Sequence, residues 1–116
     1  MPTERILRES KTCIVVRDGF PVTPLHTLII TKRHAQTYFD LDENERRDVQ
    51  SHLETERDII QKAGPSVTGF NIGMNCGPDA GQTVMHCHIH LIPRRTGDIE
   101  DPRGGVRGVI PDKRIY

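Results

Sequence analysis

His86, His88 and His90 occupy every second position of the run Met85-His86-Cys87-His88-Ile89-His90-Leu91-Ile92. In extended backbone the rise is about 3.3 Å per residue and side chains alternate faces, so three imidazoles would leave one face about 7 Å apart. Met85, Cys87, Ile89 and Leu91 would then line the opposite face, which reads as core. Imidazole, with an unperturbed pKa of about 6.5, serves as nucleophile, acid or base near neutrality. A lone histidine is commonly structural, but three on one strand face are awkward to bury without partners, which favours chemistry. His88, in the middle, has one neighbouring ring to help fix its orientation and another to donate to a leaving or non-bridging oxygen.

The segment just upstream, Gly77-Pro78-Asp79-Ala80-Gly81-Gln82-Thr83, is not a P-loop: three residues separate its glycines, and Gln-Thr stands in place of Lys-Thr. Taken alone it reads as an ordinary hairpin connection. Beside the histidine row it gains a second meaning. Its glycines let backbone N–H groups converge, and Gln82 and Thr83 add side-chain donors, as an anion nest requires. A phosphoryl group needs both a nucleophile and preorganised donors for its oxygens.

The elements that would carry these groups follow from pattern. Thr3 is placed to cap a short helix over residues 4–9, and the β-branched run of residues 11–17 reads as a strand. Asp18-Gly19 is a turn signal, Pro21 and Pro24 keep the next stretch irregular, and residues 26–31 read as an inner strand completing a hairpin. Asp42 followed by Glu45 is a capping-box start, and Val49, Leu53, Ile59 and Ile60 continue one long helix until Ala63-Gly64-Pro65. Its charged remainder reads as a solvated face. Phe70, Ile72 and Met74 alternate as a strand before the loop that feeds the histidines. The implied class is α+β: an antiparallel sheet with one long helix and a short N-terminal helix.

At 116 residues the chain reads as a single domain, 1–116, with its core in about 12–95 and an extended tail over 96–116. Apolar residues are 34% and aromatics 4%, with no Trp, a lean core that favours a homodimer. Lys plus Arg and Asp plus Glu balance at 16 each, so no global field points to nucleic acid or a membrane as partner. The first ten residues lack a signal-peptide core, no stretch has the length of a membrane span, and a cytoplasmic location is expected. Cys13, Cys76 and Cys87 lack paired spacing, and Cys87 reads as a packed core thiol.

The run Gly81-Gln82-Thr83-Val84-Met85-His86-Cys87-His88-Ile89-His90-Leu91-Ile92-Pro93-Arg94 resembles the signature of the histidine triad (HIT) superfamily. The likeness reaches upstream through Asn75 and Gly77 and, more loosely, through residues 24–34. It implies a nucleotide hydrolase or transferase acting at the α-phosphorus of nucleoside phosphoramidates or dinucleoside polyphosphates, with a purine nucleotide as substrate and a homodimer as the assembly. By the same resemblance His88 is the nucleophile that forms a nucleotidyl-histidine, with the backbone carbonyl near His86 keeping its far nitrogen protonated. His86 and His26 correspond to a supporting histidine pair, and His90 to the residue facing the bridging oxygen. Asn75, Gln82 and Thr83 correspond to phosphate contacts, and Asp18 to the ribose-hydroxyl ligand.

No cofactor or metal is required by this chemistry, since a neutral imidazole can attack phosphorus directly. His34, after Lys32-Arg33 at a strand end, reads as surface or structural. Arg103 and Arg107 are placed to approach a polyphosphate, although exposed arginines rarely act specifically. Two other readings remain open: a metal hydrolase using His-x-His as ligands, and a nucleotide-binding or interaction module with little turnover.

Overall fold

A computed structural model describes residues 3–116, with side chains from Glu4 onward. Five strands form one antiparallel sheet: β1 (Ile6–Glu9), β2 (Cys13–Arg17), β3 (Thr27–Thr31), β4 (Val67–Gly73) and β5 (His88–Arg95), in the order β1-β2-β3-β5-β4. The long helix α1 (Glu43–Ala63) connects β3 to β4. The expected α+β class and the helix therefore hold. The short N-terminal helix does not. Residues Thr3–Arg5 make a single 3-10 turn, and Ile6–Glu9 pair with Ile14–Val16 as an edge strand. Pairing to a formed neighbour outweighs the weak local helix preference of four residues. The proposed cap concerns the Thr3 side chain, which lies outside the described residues.

One face of the sheet packs on α1. Val15, Ile29 and Ile89 stand in register across β2, β3 and β5 and meet Val49 and Leu41, while Leu91 meets Ile60 and Val67 in a second cluster. Cys13 and Cys87 are buried free thiols in this core, and burial pushes the Cys87 thiol up to about 11.

The helix is less simply amphipathic than its sequence suggests. Ile59 is exposed, and the inward positions are Glu45, Val49, His52, Glu56 and Ile60. The charged residues are thus not all solvated, because those facing the sheet are individually paired. Glu56 receives Arg8 Nη1 at 2.6 Å and Arg17 Nη1 at 2.8 Å. Glu45 completes the capping box with Asp42 and also takes Arg33 through both carboxylate oxygens, at 2.7 and 3.1 Å. Arg33 thereby ties the segment after β3 to the helix N-terminus.

Residues 96–116 do not run extended. They form 3-10 turns at Gly105–Val109 and Pro111–Lys113, and Arg114 Nη1 closes the segment by donating to the carbonyls of Asp101 and Arg103, both at 2.7 Å. Glycines and prolines limit helix length here but do not prevent side-chain closure of the loop. Among the described residues no helix is long and apolar enough to cross a membrane.

Candidate active site

The second face of the sheet carries the histidines. His88 and His90 alternate with buried Ile89 and Leu91 on β5, so strand periodicity alone puts both rings on the face away from α1, centroids 5.2 Å apart. His86 lies two residues before the strand, so the evenly spaced row of three expected from a continuous strand is a pair plus an offset ring. Cys87 N–H bonds to the Ala35 carbonyl at 2.7 Å, which draws the chain away from sheet pairing at that point.

Hydrogen-bond partners fix the state of each ring, since a carbonyl only accepts and a backbone N–H only donates. The His86 carbonyl lies 2.8 Å from His88 Nδ1. His88 therefore carries its proton on Nδ1 and has its lone pair on Nε2, which takes no partner among the described residues. Val22 N–H donates to His26 Nδ1 at 3.0 Å, so His26 is protonated on Nε2, which lies 2.9 Å from His90 Nδ1. His90 accepts there and carries its own proton on Nε2. One face thus presents an open lone pair beside an open N–H.

His26 is aimed by the turn that precedes β3. Leu25 has φ +72°, a left-handed conformation uncommon for a branched residue. Thr27 Oγ1 donates to the Leu25 carbonyl at 2.8 Å and Thr23 Oγ1 to the Pro93 carbonyl at 2.6 Å, pinning the turn at both ends. The Glu56 network supports it from below, as Arg17 Nη1 also reaches Thr27 Oγ1 at 2.7 Å. Asp18, directly after β2, donates its N–H to the His26 carbonyl at 2.8 Å and has Oδ2 3.5 Å from His26 Nε2. Burial holds both His26 and His90 below the ordinary imidazole range; Asp18 opposes this at each, and charge on His88 and His26 reinforces it at His90.

Two expectations need correction. His26 does not pair with His86: His86 Nε2 donates to the Thr31 carbonyl at 2.6 Å, and its Nδ1 faces His34 Nδ1 at 3.4 Å. His34, read from sequence as peripheral, is the ring beside His86, and the one available signal was its place in Lys32-Arg33-His34 at the end of β3. Gln82 is not free to contact a phosphate. It is buried, its Nε2 donates to the carbonyls of Gln36 and Val84 at 2.7 and 3.1 Å, and its Oε1 accepts from Gly77 N–H at 2.8 Å.

The loop 77–81 is likewise inward-looking. The N–H groups of Ala80 and Gln82 turn to the Gly77 carbonyl, and that of Gly81 to Pro78. They form a closed turn, with Gly77 and Gly81 at φ +100° and +93°, so the expected nest is not made there. Asn75 and Thr83 remain exposed. Arg103 pairs with Asp101, and Arg107 donates to the Lys113 carbonyl and covers the Tyr116 ring, so neither is directed at the histidines.

Asp18, His26 and His90 bring one ligand atom each within 4.8 Å, the spacing of a three-residue metal site. Their hydrogen bonding does not fit that role. A metal-binding imidazole ordinarily donates its second N–H to an acceptor. His26 Nδ1 instead faces the Val22 N–H donor, so a metal on Nε2 would require an imidazolate.

A five-stranded antiparallel sheet with two neighbouring imidazoles on the inner strand β5 defines an α+β protein of histidine-triad type. The HIT domain model matches residues 2–97, and the chain belongs to the HIT family. It is 37% identical over 81 residues to the Schizosaccharomyces pombe asymmetrical bis(5'-nucleosyl)-tetraphosphatase, covering 70% of this chain and 44% of that protein. Among solved structures it superposes on Caenorhabditis elegans NitFhit with TM-score 0.81 at 33% identity, covering 94% of this chain and 26% of the other. It superposes on Plasmodium falciparum diadenosine triphosphate hydrolase with TM-score 0.80 at 27% identity, covering 97% and 74%. The chain thus spans less than half the length of the S. pombe and C. elegans relatives.

Proposed function

We propose that the chain is a nucleotidyl hydrolase cleaving dinucleoside polyphosphates or nucleoside phosphoramidates at the α-phosphorus. The observation that carries this reading is the His88 ring, whose Nδ1–H is fixed by the His86 carbonyl at 2.8 Å so that Nε2 is left as an open nucleophile. Relatives named as a bis(5'-nucleosyl)-tetraphosphatase and a diadenosine triphosphate hydrolase support the substrate class.

In the first step His88 Nε2 forms a bond to the α-phosphorus while the bond to the leaving group breaks: a leaving phosphate oxygen takes the electron pair and departs as an anion, and a leaving nitrogen, first protonated from solvent, takes the pair and departs as a neutral amine. His90 Nε2–H donates a hydrogen bond to that atom. The nucleotidyl imidazolium keeps its Nδ1 proton against the His86 carbonyl. Water then attacks phosphorus, the P–N bond breaks toward His88, the surplus proton passes to solvent, and a nucleoside monophosphate departs. Asp18 holds the ribose hydroxyls, and Thr83 and Asn75 contact the phosphate. The chain acts as a homodimer, for which the outer edge of β4, with Ile72 exposed, offers a pairing surface.

The reading is tested by incubating the protein with diadenosine tetraphosphate and with adenosine phosphoramidate in excess chelator. Release of AMP from at least one is expected. Nucleotide binding without turnover of either would instead establish a binding module, and turnover abolished by chelator and restored by a transition metal would establish metal chemistry.

A further inference from the structure

The carbonyl that fixes the His88 proton is itself fixed from outside the histidine row. The link after β3 presents a series of carbonyls to the segment leading into β5: His86 Nε2 donates to Thr31 at 2.6 Å, Cys87 N–H to Ala35 at 2.7 Å, and Gln82 Nε2 to Gln36 at 2.7 Å. None of these belongs to the β3–β5 ladder, whose pairs end at Ile30 with His88. The Cys87 bond has a particular consequence. Cys87 N–H and the His86 carbonyl are the two ends of one peptide unit, and in a planar trans unit they point in opposite directions. Anchoring the N–H on Ala35 therefore aims the carbonyl away from the link and onto His88 Nδ1, 2.8 Å distant. The same donation polarises that carbonyl and strengthens its hold on the Nδ1 proton.

Ala35 is buried with Cys87 and Ile89 in the core, yet residues 32–36 belong to no strand or helix that would hold its carbonyl in place. Arg33 supplies the anchor. Its guanidinium forks onto Glu45 at 2.7 and 3.1 Å and reaches the Asp40 carbonyl at 2.9 Å, so one side chain fastens the start of the link to its end and to the first turn of α1. Thr31 Oγ1 adds a bond to the Arg33 carbonyl at 3.2 Å. The Glu45 side chain is 3% exposed and also accepts from Asp42 N–H at 2.9 Å, which leaves it no freedom to follow a moving partner. Its bond from Arg33 holds the carboxyl below the ordinary carboxylate range against the opposing effect of burial, so the pair stays charged. A planar guanidinium forked onto an immobile carboxylate is a rigid link, unlike a pair of freely solvated charges.

We propose that Arg33 and Glu45 are positioning residues for the nucleophile: through Ala35 and the His86–Cys87 peptide unit they decide which nitrogen of His88 carries the proton. Neither touches a reacting atom. The proposal rests on the hydrolase reading for its effect on turnover, whereas the state of the ring exists without substrate. If residues 32–36 loosened, the His86–Cys87 unit would be free to rotate, His88 Nδ1 would lose its acceptor, and the proton would divide between the two nitrogens. A ring protonated on Nε2 has no lone pair there to offer phosphorus. Binding of the nucleotide does not depend on that lone pair, so the loss falls on kcat and not on KM.

Heteronuclear NMR of the full chain with ring-labelled histidine, near neutral pH, reads the proton on each nitrogen, and turnover of diadenosine tetraphosphate reads its effect. The parent should show His88 protonated on Nδ1 alone. Arg33→Met, which keeps the side-chain stem and removes the fork, should show His88 divided between the two protonation sites, with kcat about tenfold lower and KM unchanged. Arg33→Lys, which keeps the charge and loses the fork, should lie between the two, and it carries the test if Arg33→Met does not fold. His52→Ala controls for lost stability in general and should leave the His88 signals as in the parent. A folded Arg33 variant whose His88 keeps its proton on Nδ1 alone overturns the proposal, as does a divided His88 signal in the parent or in His52→Ala. A parent that hydrolyses no dinucleotide would sink the hydrolase reading, and the NMR comparison would still decide for or against Arg33.

Discussion

His52 and His88 stand on opposite faces of the same sheet, and their difference separates support from chemistry. His52 is the more enclosed, and burial lowers its pKa, with Arg8 adding to the effect and Asp48 and Glu56 opposing it. Both of its nitrogens are engaged: Nδ1 accepts from Arg8 Nη2 at 3.2 Å and Nε2 donates to Ser10 Oγ at 2.8 Å. Ser10 in turn donates to Asp48. The trio has the composition of a Ser-His-Asp triad but the wrong connectivity, because the acid faces the serine and an arginine occupies the ring nitrogen that a triad acid would orient. His88 has one nitrogen engaged and one open. Burial and a depressed pKa are found at His26 and His90 as well as at His52 and so do not separate the two regions; an uncommitted ring nitrogen does.

The sharpest way to break this comparison is to remove each ring. His88→Ala should lower turnover by about 10⁴-fold or more, with chemical denaturation unchanged. His52→Ala should do the reverse, costing about 1–3 kcal/mol of stability by stranding Ser10 and Arg8 while activity at a permissive temperature persists. Comparable losses of activity in the two variants would erase the distinction.

Glu56→Gln comes next in expected size. It leaves Arg8 and Arg17 without their shared carboxylate, and a loss of about 3 kcal/mol is expected, near the low end for buried pairs because both arginines reach solvent. Denaturant titration measures it. His26→Ala tests the relay: without the donor to His90 Nδ1 the His90 tautomer is no longer fixed, and kcat should fall on the order of 10²-fold with KM little changed. A purely structural His26 would lower stability and leave the pH profile of kcat intact.

The smallest effect is in pH. His26, His52 and His90 have folded pKa values below the ordinary one, so the unfolded chain binds more protons in the interval beneath about pH 6.5. Stability contributed by the neutral rings is complete above that pH and declines as pH falls through it toward the folded values. Denaturation midpoints at pH 7.5 and 5.5 should show the decline, and a His52→Gln variant should show less of it.

Much of this was legible in the chain itself, for identifiable reasons. The alternation around His88 and the Asp42–Glu45 start of α1 are local signals, and periodicity reports them directly. The pairings were not local. His26 meets His90 across 64 residues and His34 meets His86 across 52, distances set by strand register, which nothing near either residue encodes. Gln82 offered the right atoms for a phosphate, but its position after the turn sends them to Gln36, Gly77 and Val84. Glu56 resembled its solvated neighbours until Arg8 and Arg17 arrived from two strands. Four residues at Ile6–Glu9 carry too little pattern to announce an edge strand.

The central claim is that the open Nε2 of His88 becomes covalently attached to the nucleotide. Peptide mapping by mass spectrometry, after rapid alkaline quench of a single turnover with diadenosine tetraphosphate, tests it directly. The account predicts one adenylyl group on the peptide containing His88, appearing before AMP and absent from His88→Ala. Full turnover with no modified histidine, or an adduct on His34, His86 or His90 instead, would contradict it.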